Sequence, residues 1–134
     1  MAVKTYTGSC HCGAVRFEAD VDLAEGGARC NCSLCRKTRA WGTNVKPSAF
    51  RLRSGEDALG SYAFGTKAGE HKFCRTCGVR MFGAFDIPQL GGQTVSIQIA
   101  TLDASDEELA ASPVMYCNGR DNDWWNPPAI SSYL

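Results

Sequence analysis

Cys30-Asn31-Cys32-Ser33-Leu34-Cys35-Arg36-Lys37 places three thiols within six residues and follows them at once with two basic side chains. Four more cysteines come in close pairs, Cys10-His11-Cys12-Gly13 and Cys74-Arg75-Thr76-Cys77-Gly78, while Cys117 stands alone. Gaps of one and two residues are what a metal asks of a chain. A short turn delivers two thiolates together to a zinc tetrahedron with bonds of about 2.3 Å. Seven clustered cysteines are one short of filling two tetrahedra, and that missing ligand directs the functional reading.

The 134 residues suit one domain, spanning 1–134, with enough chain to bury a core. Fourteen basic and fourteen acidic residues cancel, so no global field draws nucleic acid or an anionic membrane. No apolar run is long enough to span a bilayer, and residues 1–10 lack the apolar stretch of a signal peptide. The expected compartment is therefore the cytoplasm. Eight cysteines would also make four disulfides, but that pattern belongs to small secreted chains, and a reducing cytosol keeps thiols free for metal.

Apolar and polar residues alternate from Ala14 to Val21, and Lys4–Thr7, Trp41–Lys46, Phe50–Arg53, Leu59–Phe64, Glu70–Phe73, Val79–Phe85 and Thr94–Ala100 also read as strands. Gly8-Ser9 reads as a turn, Gly13 as a positive-φ position, and residues 65–69 as a break. Ser33 is the expected cap of a short helix reaching Arg39. Ser105 and Glu108 stand in capping-box spacing for a helix over residues 103–111. From Tyr116 onward the chain reads as a turn-rich tail. The fold class is mainly β, with one or two short helices.

Spacing allows two partitions of the thiols. In one, Cys10, Cys12, Cys74 and Cys77 close a four-sulfur site, leaving Cys30, Cys32 and Cys35 as a three-sulfur site. In the other, Cys32 and Cys35 join Cys74 and Cys77 as a zinc ribbon. The first keeps the contiguous cluster together and is preferred. A closed four-thiolate site is structural, whereas three ligands with an open position are the arrangement of catalytic zinc. The bland alternative completes the second site with His11, His71 or Cys117 and makes the chain a zinc-stapled module that binds protein or nucleic acid without catalysis. Three thiolates leave zinc a weak Lewis acid toward water, and a thiol suits the fourth position better. Arg36, Lys37 and Arg39 are the charges expected to offset the added thiolate and to attract an anionic thiol tripeptide.

Residues 8–18 (GSCHCGAVRFE), 30–37 (CNCSLCRK) and 71–79 (HKFCRTCGV) resemble, in this order, the glutathione-dependent formaldehyde-activating enzyme family, whose domain also occurs in centromere protein V. The tail Asn118-Gly119-Arg120-Asp121 with Trp124 is similar too. The resemblance implies an Mss4-like, zinc-ribbon-related fold of small antiparallel sheets. It implies two zinc ions, one structural on Cys10, Cys12, Cys74 and Cys77, and one catalytic and labile on Cys30, Cys32 and Cys35. It also implies a carbon–sulfur lyase that combines glutathione with formaldehyde, giving S-(hydroxymethyl)glutathione. Arg36 and Lys37 are the expected glutathione contacts.

Overall fold

The computed structural model describes residues 2–66 and 69–134. The alternation after Gly13 produces β2 (Arg16–Val21), which buries Phe17, Ala19 and Val21 and leaves Glu18 and Asp20 half-buried. On one side it pairs antiparallel with β1 (Lys4–Ser9), and on the other with β5 (Phe50–Ser54), making a three-stranded sheet. Across β2 and β5, Arg51 reaches Asp20 at 2.8 Å and Glu18 at 3.3 Å, and Arg53 reaches Glu18 at 2.5 Å. These two arginines are therefore paired locally with carboxylates.

The second sheet, of seven strands, contains β3 (Gly27–Cys30), β4 (Gly42–Val45), β6 (Leu59–Tyr62), β7 (Gly69–Cys74), β8 (Arg80–Ile87), β9 (Gly92–Gln98) and β10 (Val114–Cys117), in the order β10-β3-β4-β9-β8-β7-β6. Its pairs are antiparallel except β10–β3, which are parallel with Cys117 opposite Cys30. Two α-helices among the described residues complete the frame, α1 (Ser33–Thr38) and α2 (Asp106–Ala111). The mainly β reading holds.

Between the sheets lies the core. Phe17 from one sheet meets Phe82 from the other with ring centroids 5.9 Å apart, and Phe50 completes the trio at 5.5 and 4.5 Å. Each such pair is worth about 0.5–1.5 kcal/mol beyond the area it buries. Val15, Cys74, Met81, Ile97 and Ile99 pack fully buried around them. Gly8 lies inside β1 rather than in a turn, because a side chain there would run into the Phe17 ring, 2.4 Å from its would-be Cβ. A turn residue by composition, it serves here as room for a phenyl group.

Other expectations shift in instructive ways. Cys32, not Ser33, caps α1: its sulfur accepts the Cys35 N–H at 3.4 Å. Arg39 then ends the helix in the left-handed conformation, φ 52°. Residues 114–117 form a strand that runs into the start of the expected tail, since the parallel partner β3 supplies hydrogen bonds that no local pattern announces. The break expected over 65–69 includes residues 67 and 68, which lie outside the described residues. The Ser105–Glu108 capping box forms as expected.

α2 is tied to β1 through Glu108, which accepts from Tyr6 Oη at 2.5 Å and from Lys4 Nζ at 3.2 Å. The Tyr6 hydroxyl first, then the Ser105 N–H and Lys4, hold the Glu108 carboxyl at about 2. Because the folded value is depressed below the ordinary 4.5, the stabilisation is complete above pH 4.5 and is lost as pH falls toward 2. Glu108→Gln should therefore lower Tm at neutral pH yet flatten its acid dependence across that window. Parallel thermal melts of both proteins from pH 7 to pH 2 measure the difference.

Candidate metal centre and thiol site

Cys10 and Cys12 sit in the turn between β1 and β2, while Cys74 closes β7 and Cys77 follows in the turn to β8. The two turns are built alike. Cys10 N–H bonds Val15 O at 3.1 Å and Gly13 N–H returns to Cys10 O at 3.4 Å, with Gly13 at φ 80°. Cys74 N–H bonds Val79 O at 3.0 Å and Gly78 N–H returns to Cys74 O at 2.8 Å. Each turn aims backbone donors at sulfur: Val15 N–H at Cys10 (3.3 Å) and Thr76 N–H at Cys74 (3.4 Å). The N–H groups of Cys12 and Val79 hold the Cys77 thiol down at about 6.

All four sulfurs lie within 4.8 Å of one another, with Cys10–Cys12 and Cys12–Cys74 at 3.6 Å. Four thiolates around one zinc at about 2.3 Å stand about 3.8 Å apart along the tetrahedron's edges, so the separation suits a tetrahedral metal. The group can hold a metal ion. All eight cysteines are free thiols.

Cys30, at the end of β3, is buried; Cys32 and Cys35, capping and entering α1, are half-buried. These three are strung along the turn, and among the described residues they do not converge as the four-sulfur group does. Cys32 stands between the others. Its thiol is held far below the usual range by the Cys30 and Cys35 thiols and by the N–H groups of Cys35 and Leu34. Cys30 and Cys35 are pushed up correspondingly, chiefly by Cys32 and by burial.

Three supports escaped the sequence reading. Asn31, buried between two cysteines, donates its side-chain amide to Asn118 Oδ1 at 2.9 Å and accepts Arg120 N–H at 3.0 Å, so it clamps the turn to the segment after β10. Gly119 gives its N–H to the Cys30 sulfur, and a Cβ there would stand 2.5 Å from that sulfur and 2.6 Å from the Trp124 ring. Both signals were in reach: Asn31 sits inside the thiol run, and Gly119 inside the tail motif. Arg80 is the third. It opposes the negative charge near Cys35, donates Nη1 to Thr38 Oγ1 at 3.2 Å and places Nη2 2.8 Å from His71 Nδ1. No local pattern marks it.

The other candidates fall elsewhere. His11 is exposed beside the four-sulfur group. His71 lies between the rings of Phe64 and Phe85, and its pKa is pushed below the ordinary value by burial and then by Arg80. Cys117 is half-buried opposite Cys30, with its thiol pushed up by burial. Arg36 and Lys37 occupy the last turn of α1, exposed, with Arg36 5.7 Å above the Tyr133 ring.

A two-sheet β domain whose turns bring four thiols together, with three more on an adjacent helix start, is a cysteine-clustered metal-binding class. The family model for glutathione-dependent formaldehyde-activating enzymes matches residues 5–119, and the chain belongs to that family. A relative from Halomonas elongata, provisionally named a glutathione-dependent formaldehyde-activating enzyme, is 38% identical over 78 residues, covering 52% of this chain. The match spans 50% of that relative's length. A crystal structure of a Rhodobacter sphaeroides protein shares the fold, with TM-score 0.68 and 31% identity over 81% of this chain and 99% of that one. No helix among the described residues is long and apolar enough to cross a membrane.

The two thiol groups should respond differently to substitution. Cys74→Ser is expected to unfold the domain or strip its metal, since metal binding at such a site contributes ~10–16 kcal/mol in zinc-finger peptides. Cys32→Ser should leave a folded protein with one metal ion. Metal analysis together with circular dichroism decides, and equal loss of fold in both variants would refute the division.

Cys117→Ala is a separate check on ligand count. It should keep the full metal content at a stability cost below about 2 kcal/mol. A lost metal ion would make Cys117 a ligand.

Proposed function

We propose that this chain is a zinc-dependent carbon–sulfur lyase that joins glutathione to formaldehyde and, in reverse, releases the two. It acts as a single domain over 1–134, in the cytoplasm, with two zinc ions. Cys10, Cys12, Cys74 and Cys77 would hold a structural ion, and Cys30, Cys32 and Cys35 a catalytic, exchangeable one. The observation that carries this reading is the contrast between the groups: four sulfurs gathered between the sheets, three others strung along the start of an exposed helix.

Bound at the three cysteines, zinc would supply a thiophilic Lewis acid that favours the thiolate of an incoming thiol over its protonated form. The chain's own groups prepare the place. Gly119 N–H and the N–H groups of Cys32 and Cys35 point at the Cys30 and Cys32 sulfurs and fix them. Arg80 counters the accumulated negative charge. Arg36 and Lys37, exposed just beyond Cys35, attract an anionic thiol. In the forward direction glutathione's sulfur bonds the carbonyl carbon, the π pair moves to oxygen, and oxygen takes the proton that the thiol gave up. Nothing is oxidised or reduced.

Glutathione binding should release about one proton near neutral pH, because a thiol with ordinary pKa near 8.5 enters as thiolate. The release should fall away as pH rises through that value. Calorimetry in two buffers of different ionisation enthalpy counts the protons. Binding without proton release at pH 7, or binding unchanged by Cys32→Ser, would overturn the metal–thiolate reading.

A further inference from the structure

A cavity of about 460 Å³ opens between the end of α1 and strands β8 and β9. Arg29, Arg39 and Arg80 line it together with Thr38, Trp41 and Gln98, and no acidic side chain does. Three guanidinium groups without a carboxylate among them are unusual for a resting surface, where like charges repel and gather counter-ions. The ion pairs formed among the described residues involve Lys4, Arg51, Arg53 and Lys72, and not these three.

Two of the arginines are held in place before any ligand arrives. Arg29 lies 5.3 Å over the Trp41 ring and donates Nη1 to the Arg39 carbonyl at 3.3 Å. Arg80 is anchored through Thr38 and His71, yet its Nε–H is buried with no partner. A charged donor shut away from water and left unpaired is costly, and a negative charge in the cavity would offset that cost electrostatically.

Position links this cavity to the thiols. Thr38 follows Cys35 by three residues, one turn along the same face of α1, and Arg39 comes next where the helix ends. Arg80 spans the gap, touching Thr38 and acting on Cys35. The volume falls within the range of small-ligand sites.

We propose that this cavity is a carboxylate subsite: Arg29, Arg39 and Arg80 hold a carboxylate of the thiol substrate while its sulfur lies at Cys30, Cys32 and Cys35. The proposal rests on the reading of the three-thiol group as the reacting centre. It makes the substrate an acidic thiol, and moves the holding of its carboxylate from Arg36 and Lys37 to Arg29 and Arg80, which the fold has already positioned, with Arg39 beside them.

Three probes separate the parts. Glutathione carries both the thiol and the carboxylates; S-methylglutathione keeps the carboxylates but presents no thiolate; glutathione diethyl ester keeps the thiol and masks the carboxylates. Titrations of the zinc-loaded protein compare the unsubstituted chain with Arg29→Gln, Arg39→Gln, Cys32→Ser and the charge control Lys46→Gln. Arg29→Gln and Arg39→Gln should each weaken glutathione and S-methylglutathione roughly tenfold or more, the loss of a charge-assisted bond. They should leave the diethyl ester unchanged, which also shows the variants folded. Lys46→Gln should behave as the unsubstituted chain.

Arginine variants that bind S-methylglutathione as well as the unsubstituted chain does would overturn the subsite. So would equal weakening of acid and ester, or an effect of Lys46→Gln as large as theirs. If instead S-methylglutathione binds as tightly as glutathione and Cys32→Ser changes neither, while the arginine dependence persists, the subsite stands and the metal–thiolate reading falls.

Discussion

Everything in this molecule hangs on four sulfurs drawn to within 4.8 Å of one another where two sheets meet. Cys10 and Cys12 come from a turn of the three-stranded sheet, and Cys74 and Cys77 from a turn of the seven-stranded sheet. So many thiols cannot all ionise at that separation without a cation among them, because each thiolate raises the cost of the next. The turns compensate partly with N–H groups aimed at the sulfurs, at 3.3 and 3.4 Å. The junction also brings the Phe17, Phe50 and Phe82 rings into contact directly between the sheets. Metal site and aromatic core therefore depend on the same docking.

The second thiol group obeys a different constraint. Its cysteines come from one continuous stretch, so nothing distant is needed to assemble them. What distance supplies is their surroundings. The segment after β10 arrives through parallel pairing with β3 and brings Gly119 and Asn118 against Cys30 and Asn31. β8 brings Arg80 beside Cys35. The result is a three-thiol cluster with Cys32 between its neighbours, supported by backbone donors and flanked by one arginine.

A shared logic joins the two halves of the site. Arg80 follows only three residues after Cys77, so the turn that gathers the four sulfurs also fixes where β8 begins. The same strand then carries Arg80 to α1. The docking of the sheets thereby sets both the metal junction and the position of a guanidinium beside the other thiols, and displacement at one group would be felt at the other.

Much of this was legible in the residues. Cysteine spacing marked all seven clustered thiols, alternation marked Phe17, Ala19 and Val21 as a buried face, and Ser105 with Glu108 marked the start of α2. These features share a cause: a turn, a strand face and a helix cap are each decided by neighbours within a few positions. The strand Val114–Cys117, the use of Gly8 as space for a ring, and the meeting of Arg29, Arg39 and Arg80 are not local. These arginines, up to 51 positions apart, share that cavity because β3, β4, β9 and β8 lie side by side in one sheet. The sequence by itself determined which groups could bind a metal. Only the tertiary structure decided which charges and donors stand beside them, because hydrogen-bonded register between distant strands, not spacing along the chain, brings those side chains together.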